Sequence, residues 1–229
     1  MSTLVLRLEG PLQAWSTQGK LGIRDTEREP TKSGVLGLVG AALGMSRDDD
    51  ETLAHLAALS MAVRVDQPGS LLRDYHTAGG GRFREYSDRG KKFHVHGAGS
   101  VVLSERYYLQ DASFVAALGG DDVLVERIGA ALRAPRWPIF LGRRSCPPSR
   151  PVFEAMVACP VADAVRGAAV NERVKTDSLR LAIEATPESG GEPRYDVPLS
   201  FKEGERRYTV RYVRTEWLPL VGPAKEVHA

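Results

Sequence analysis

Thr3-Leu4-Val5-Leu6-Arg7-Leu8-Glu9, closed by Gly10-Pro11, sets the frame of the chain. Leu4, Leu6 and Leu8 fall on one face; Thr3, Val5, Arg7 and Glu9 fall on the other. Strict alternation of this kind predicts a half-buried strand with a partly polar second face. Working outward, residues 31–43 carry an apolar stripe of Val35, Leu36, Val39 and Leu43 at helical spacing, and Gly44 is placed to cap the C-terminus. Gly34, Gly37 and Gly40 form a neighbouring ridge. Each costs a helix roughly 0.8–1 kcal/mol relative to alanine, so close packing against a sheet is expected to offset them.

A second helix is expected over 48–60. It opens on Asp48, Asp49 and Asp50, which suit the positive end of a helix dipole. Strands are expected at 61–66, 71–77, 101–109 and 112–118, a helix at 121–132, and a strand at 151–157. The resulting order is strand, helix, strand, strand, helix, strand, with extra pieces. This predicts an α+β, ferredoxin-like βαββαβ palm. Further strands at 178–184 and 207–213 make residues 160–229 a β-rich C-terminal extension of the same body. On this reading residues 1–77 and 100–159 form the palm, and 78–99 an inserted thumb.

The chain has 229 residues, 42% of them hydrophobic and 26% charged, with a formal net charge of +2. That is an ordinary globular composition, and the global charge does not announce nucleic acid. Cys146 and Cys159 are too few for a disulfide framework and fit a reducing compartment. The longest mostly apolar stretch, 35–45, is too short and too glycine-rich to span a bilayer. A cytoplasmic protein without a membrane partner is expected.

Two local fields break this neutrality. Residues 133–150 hold five arginines and no Asp or Glu. Pro138, Pro147 and Pro148 exclude one long helix, so the arginines are expected on a stiff irregular loop. A guanidinium is a planar fork of donors that suits phosphate and stacks on bases. Residues 78–99 hold six glycines. They also carry Arg82, Arg84, Arg89, Lys91 and Lys92 against Glu85 and Asp88, five minus two, an excess of three positive charges. Phe83, Tyr86 and Phe93 are interleaved, and no apolar period is present. An extended, hairpin-like excursion from the sheet is expected. Cations among aromatics are the equipment for single-stranded nucleic acid.

Other chemistries find less support. Lys32-Ser33 before a helix lacks the glycines of a nucleotide-triphosphate loop, since Thr31 and Thr26 stand where they belong. What survives is a helix N-terminus at Thr31, Lys32 and Ser33, where free N–H groups could seat a phosphate. His94-Val95-His96 places two imidazoles on one face, too few to define a metal site. No cofactor is expected. Cys146 lies beside Arg143 and Arg144, which would lower its pKa, but no base is near in sequence and a small buried residue is the simpler role. Metal-free RNA cleavage needs a base, an acid and a cation. His76 or His94, Tyr75 or Tyr86, and Lys91 or Lys92 could supply them.

Several strings together resemble the Cas-five family of CRISPR-associated RAMP proteins, in the form found in type I-E Cascade. They are 6–15 (Leu-Arg-Leu-Glu-Gly-Pro-Leu-Gln-Ala-Trp), 30–38 (Pro-Thr-Lys-Ser-Gly-Val-Leu-Gly-Leu), 72–77 (Leu-Arg-Asp-Tyr-His-Thr), 111–114 (Asp-Ala-Ser-Phe) and 141–147 (Leu-Gly-Arg-Arg-Ser-Cys-Pro). The resemblance implies a ferredoxin-like palm with a protruding thumb. It also implies a non-catalytic RNA-binding subunit of a CRISPR surveillance complex, serving antiviral defence. Such subunits grip the repeat-derived 5′ tag of the guide RNA and meet a backbone RAMP subunit and the large subunit; homo-oligomers are not expected. Phosphate contacts are then expected from Lys32, Ser33, Arg143 and Arg144. Thumb contacts are expected from Arg82, Arg84, Lys91 and Lys92, and base reading or stacking from Gln13 and Trp15. The alternatives are a metal-independent endoribonuclease acting on repeat RNA, and a protein-only assembly module.

Overall fold

A computed structural model describes residues 2–16, 22–78, 84–86, 93–95 and 102–220, the two short central pieces by their backbone. In chain order the strands before the first helix are β1 (Thr3–Glu9), β2 (Leu12–Gln13) and β3 (Ile23–Arg24), followed by helices α1 (Lys32–Leu43) and α2 (Asp50–Ala57). Then come β4 (Ser60–Gln67), β5 (Ser70–Ala78), β6 (Arg84–Tyr86), β7 (Phe93–Val95), β8 (Val102–Gln110) and β9 (Ser113–Gly119). Helix α3 (Asp122–Arg133), β10 (Phe153–Val157), α4 (Val161–Gly167), β11 (Ser178–Ala185), β12 (Glu192–Ser200) and β13 (Arg207–Pro219) complete the set.

Seven strands form one antiparallel sheet in the order β10-β1-β9-β4-β11-β13-β12. The first four of these, with α1 and α2 between β1 and β4 and α3 between β9 and β10, realise the expected βαββαβ order. The mixed α+β class read from the sequence holds.

The expectation of a half-exposed β1 does not hold. Leu4, Leu6 and Leu8 join the main core, which takes in residues of α1 and α3. Val5 faces a second core with Ala117, Val161, Val165 and Leu181. Helix α4, which the sequence reading missed, covers that second face. Arg7 on this face is 2% exposed, and its charge is matched rather than solvated. Its Nη1 lies 2.8 Å from Asp66 Oδ2, while Arg64 Nε lies 2.6 Å from Asp66 Oδ1. Arg64 Nη1 also donates to the carbonyls of Val165 at 2.8 Å and Ala168 at 2.7 Å, and Arg7 Nη2 donates to that of Ala169 at 2.7 Å. These carbonyls end α4, whose last C=O groups have no partner within the helix. Two buried arginines therefore cap α4 from below, consistent with the negative end of its dipole.

A second, smaller sheet grows from the palm. Strand β8 pairs with β5 along its whole length and with β2 and β3 on its other side. The β5–β8 ribbon leads to the short pair β6–β7, in register Arg84 opposite Val95. The hairpin-like excursion expected over 78–99 meets a pair of strands there. Its remaining residues, including Arg82, Lys91 and Lys92, lie outside the described residues.

Candidate nucleic-acid interface

A cleft of about 1160 Å3 opens between α1, the 134–150 bend and the β12–β13 turn. Its cationic lining is Arg24, Arg47, Arg143, Arg144 and Arg206, against the single acid Glu203. Trp137, Phe140, Phe201 and Tyr208 supply aromatic surface, and Trp137 is 44% exposed.

Helix α1 forms one wall. Thr31 caps it, its Oγ1 accepting from Gly34 N at 3.2 Å, and Gly44 closes it at φ +72°. The glycine ridge does not pack against a sheet, as had been expected. Gly34, Gly37 and Gly40 line the cleft. A Cβ on Gly34 would sit 2.8 Å from the Trp15 ring, and one on Gly40 2.8 Å from Met45 Cε. A Cβ on Gly37 would meet only Phe201 Cζ at 4.0 Å, so the middle of this wall is bare backbone facing open space.

The bend is stiffened by its own hydrogen bonds as well as by proline. Arg136 N and Trp137 N donate to the carbonyls of Ala42 at 2.9 Å and Ala41 at 3.2 Å, which ties the bend to α1. Leu141 N donates to Cys146 O at 2.7 Å, closing a turn that presents residues 142–145. Gly142 has φ +89°, and a Cβ there would lie 1.7 Å from Ala14 O. Only glycine permits both that left-handed backbone and that approach. The third wall, the β12–β13 turn, is tied to α2 by Lys202 Nζ, 2.8 Å from Asp50 Oδ2. The hydrogen bond from Lys202 holds the Asp50 carboxyl below its ordinary range.

The structure separates the expected site residues into groups. Gln13 and Trp15 are interior, each 0% exposed, which corrects the expectation that they meet a base. Gln13 Nε2 donates to Leu8 O at 3.1 Å and Ala112 O at 2.7 Å, and its Oε1 accepts from Trp15 Nε1 at 3.1 Å. Every polar atom of the pair is used inside. Lys32 is corrected likewise: it is 4% exposed and its Nζ pairs with Glu184 Oε1 at 2.8 Å. The phosphate seat at the α1 N-terminus is filled by the chain itself, because Asp196 Oδ2 accepts from Lys32 N at 2.8 Å. Asp196 is in turn held by Arg211 Nε at 2.6 Å. Ser33 is buried, although it borders the cleft.

Arg143 and Arg144 do reach the cleft, but differently. Arg143 donates to the carbonyls of Tyr107 at 3.0 Å, Arg24 at 2.8 Å and Asp25 at 2.7 Å, and its guanidinium lies 5.0 Å from the Tyr108 ring centroid. It is a strut that also lends charge. Arg144 is exposed. Among the described residues the side chains of Arg24, Arg47, Arg144 and Arg206 have no hydrogen-bond or ion-pair partner. Of the other three arginines of the 133–150 run, Arg133 stacks on Phe153 at 3.7 Å, Arg150 approaches Glu9 and Glu154, and the stem of Arg136 lies against Gly44. Arg84 sits on β6, in the pair beyond the ribbon.

Reading the sequence missed Arg24, Arg47 and Arg206. Arg24 ends the two-residue strand β3, Arg47 lies in the turn before α2 and Arg206 immediately precedes β13, and no apolar period in their neighbours marks them. Cys146 is buried, and burial raises its thiol pKa despite the hydrogen bonds and Arg143 that act in the other direction. Cys146 is thus the small buried residue expected there, not a thiol activated by the adjacent arginines. Among the described residues no three His, Cys, Asp or Glu side chains are grouped to hold a metal, and no helix is long and apolar enough to cross a membrane.

The mixed α+β body, with its antiparallel sheet and side ribbon, is of the RAMP type. A family model for CRISPR-associated protein (Cas_Cas5) matches residues 3–214. The chain belongs to that family. It is 42% identical over 164 residues to the CRISPR system Cascade subunit CasD of Escherichia coli strain K12, a match covering 66% of this chain and 70% of the relative. Among solved structures, a Cas protein crystal structure is 37% identical with a TM-score of 0.72, covering 95% of each chain. A chain of a CRISPR RNA-guided surveillance complex is 32% identical with a TM-score of 0.76, covering 97% of this chain and 95% of that one.

Proposed function

We propose that this protein is a non-catalytic subunit of a type I-E CRISPR surveillance complex, and that its cleft grips the single-stranded 5′ tag of the guide RNA. The observation that carries this reading is the composition of the cleft: five arginines against one glutamate, beside aromatic surface and a helix wall bare of side chains at Gly37. Single-stranded RNA is held by charge along its backbone and by stacking of its splayed bases. Four of the five guanidiniums have no internal partner among the described residues, so a phosphate would not have to displace one. The similarity to the Cascade subunit CasD supports a place in such a complex, and a backbone RAMP subunit and the large subunit are the partners this reading gives it.

The endoribonuclease reading is weaker. Tyr75 and His76 are consecutive on β5 and so project to opposite faces of the ribbon. They cannot serve one phosphodiester together.

The test is salt-dependent RNA binding by the full chain. Each phosphate contact contributes about −0.7 to the slope of log affinity against log salt for a single strand. Replacing Arg144 and Arg206 together by alanine is expected to flatten that slope by about 1.4 while the thermal melt is unchanged. A parental slope in the folded double variant would remove the cleft from the RNA site.

A further inference from the structure

The cleft has two walls joined to each other and a third held from one point. Helix α1 and the 134–150 bend are joined backbone to backbone through Arg136 N and Trp137 N. The β12–β13 turn, residues 201–206, has no such join. Among the described residues its backbone N–H bonds stay local: Lys202 N donates to Ser200 Oγ at 3.2 Å and Glu205 N to Lys202 O at 3.2 Å. The strand pair shifts register between Pro198 and Ser200, immediately before the turn. Residues 203–206 are exposed, and a Cβ on Gly204 would meet no atom within 4 Å. Yet this turn carries much of the cleft's chemistry. Phe201, Glu203 and Arg206 line the cleft from it, and Phe201 faces the bare stretch of α1 at Gly37. A displacement of the turn therefore changes the gap between Phe201 and Gly37 and the place of one unpaired guanidinium.

What ties the turn to a helix is the ion pair of Lys202 Nζ with Asp50 Oδ2, 2.8 Å apart. The Asp50 end is fixed. It is the first residue of α2, where the positive end of the helix dipole favours a carboxylate, and the neighbouring Asp49 caps the helix by accepting from Thr52 N at 2.9 Å. Lys202, on the turn, is the end that can let go. Their side chains are 37% and 33% exposed, so water competes for both, and the pair closes the wall without locking it.

We propose that Lys202 and Asp50 form a latch that sets the width of the cleft, and that guide RNA is held more tightly when the latch is closed. They are positioning residues, since neither lines the cleft. The proposal rests on the cleft being an RNA site, and adds the device that controls its grip.

The experiment uses the full chain and reads the latch first without RNA. Trypsin cuts after Arg206 and Arg207, in and beside the turn. Asp50→Asn and Lys202→Gln each break the ion pair, and each is expected to speed that cleavage by about two- to fivefold, the range for an exposed pair. Cleavage after Arg127, inside α3, reports opening of the whole body and is expected to stay parental. Lys202→Arg keeps the pair and should behave as the parent throughout. The same variants are then titrated with fluorescein-labelled single-stranded RNA at several salt concentrations. Asp50→Asn and Lys202→Gln should lose affinity by a similar factor, and the double variant no more than either, because the two side chains act as one unit. Their salt slopes should stay parental, because no phosphate contact is removed. Parental cleavage at the turn in both single variants overturns the latch, as does cleavage after Arg127 that rises in step with it. Faster cleavage at the turn with parental affinity overturns its control of the cleft. A slope reduced by about 0.7 in Lys202→Gln alone makes Lys202 a direct phosphate contact and overturns the positioning role. Failure of the cleft itself shows separately, as a parental slope when Arg144 and Arg206 are both replaced by alanine.

Discussion

Gly37 offers the sharpest separation of folding from binding. It lies in the middle of α1, where a glycine costs a helix roughly 0.8–1 kcal/mol relative to alanine. A Cβ there meets nothing closer than Phe201 Cζ at 4.0 Å. Gly37→Ala is therefore expected to recover most of that helix penalty, raising the melting temperature by about 2–4 °C for a chain of this size. Gly37→Leu has nearly the same helix propensity and should also fold, but its side chain enters the cleft. If it displaces one stacked base, the loss is about 1–3 kcal/mol, or roughly 5- to 150-fold in affinity. Gly34→Ala is the internal control. Its Cβ would lie 2.8 Å from the Trp15 ring and 3.0 Å from Thr31 Oγ1, the helix cap, so it should destabilise by about 1–3 kcal/mol. Thermal melts and RNA anisotropy on the three variants check this. A lower melting temperature in Gly37→Ala would show that the wall is not open, and parental RNA affinity in Gly37→Leu would show that the cleft is not the ligand's seat.

Gly142→Ala should cost roughly 2–3 kcal/mol, combining a left-handed backbone with the loss of the Ala14–Leu141 hydrogen bond; urea unfolding should show a lower midpoint at unchanged slope. Arg64→Met leaves Asp66 with one partner fewer in a buried setting and uncaps α4, so a loss of about 3–5 kcal/mol is expected by the same assay. In the native protein a thiol reagent at mildly alkaline pH should modify the partly exposed Cys159 first. Cys146 should react only on unfolding, because its raised pKa keeps it protonated over a pH range where an ordinary thiol ionises; equal rates would contradict its burial.

The palm was legible because its elements carry their own periodicity. The alternation in β1, the apolar stripe of α1 and the spacing of Val123, Leu124, Ile128 and Leu132 in α3 are local signals, and the structure has each element within a residue or two of its expected place. Helix α4 was not legible. It is seven residues long and its N-cap Pro160 makes no side-chain hydrogen bond, so little marks it until the sheet it covers is known. The cleft divides along the same line. The 133–150 bend announced itself by composition, whereas Lys32, Gln13 and Trp15 looked available only because the partners that consume them lie far away in sequence. Glu184 is 152 residues from Lys32, and Ala112 is 99 from Gln13. Nothing local distinguishes a lysine bound for solvent from one bound for a distant glutamate.

The carbonyls that satisfy Arg7 and Arg64 come from residues 165–169, and β4 finds its second neighbour only in β11. During synthesis the first strands of the chain must wait on the ribosome until the last quarter has emerged. Until then two guanidiniums share the single carboxylate of Asp66 without their carbonyl partners and the palm keeps an open sheet edge, so a nascent chain stalled near residue 160 is expected to be less stable than the finished body.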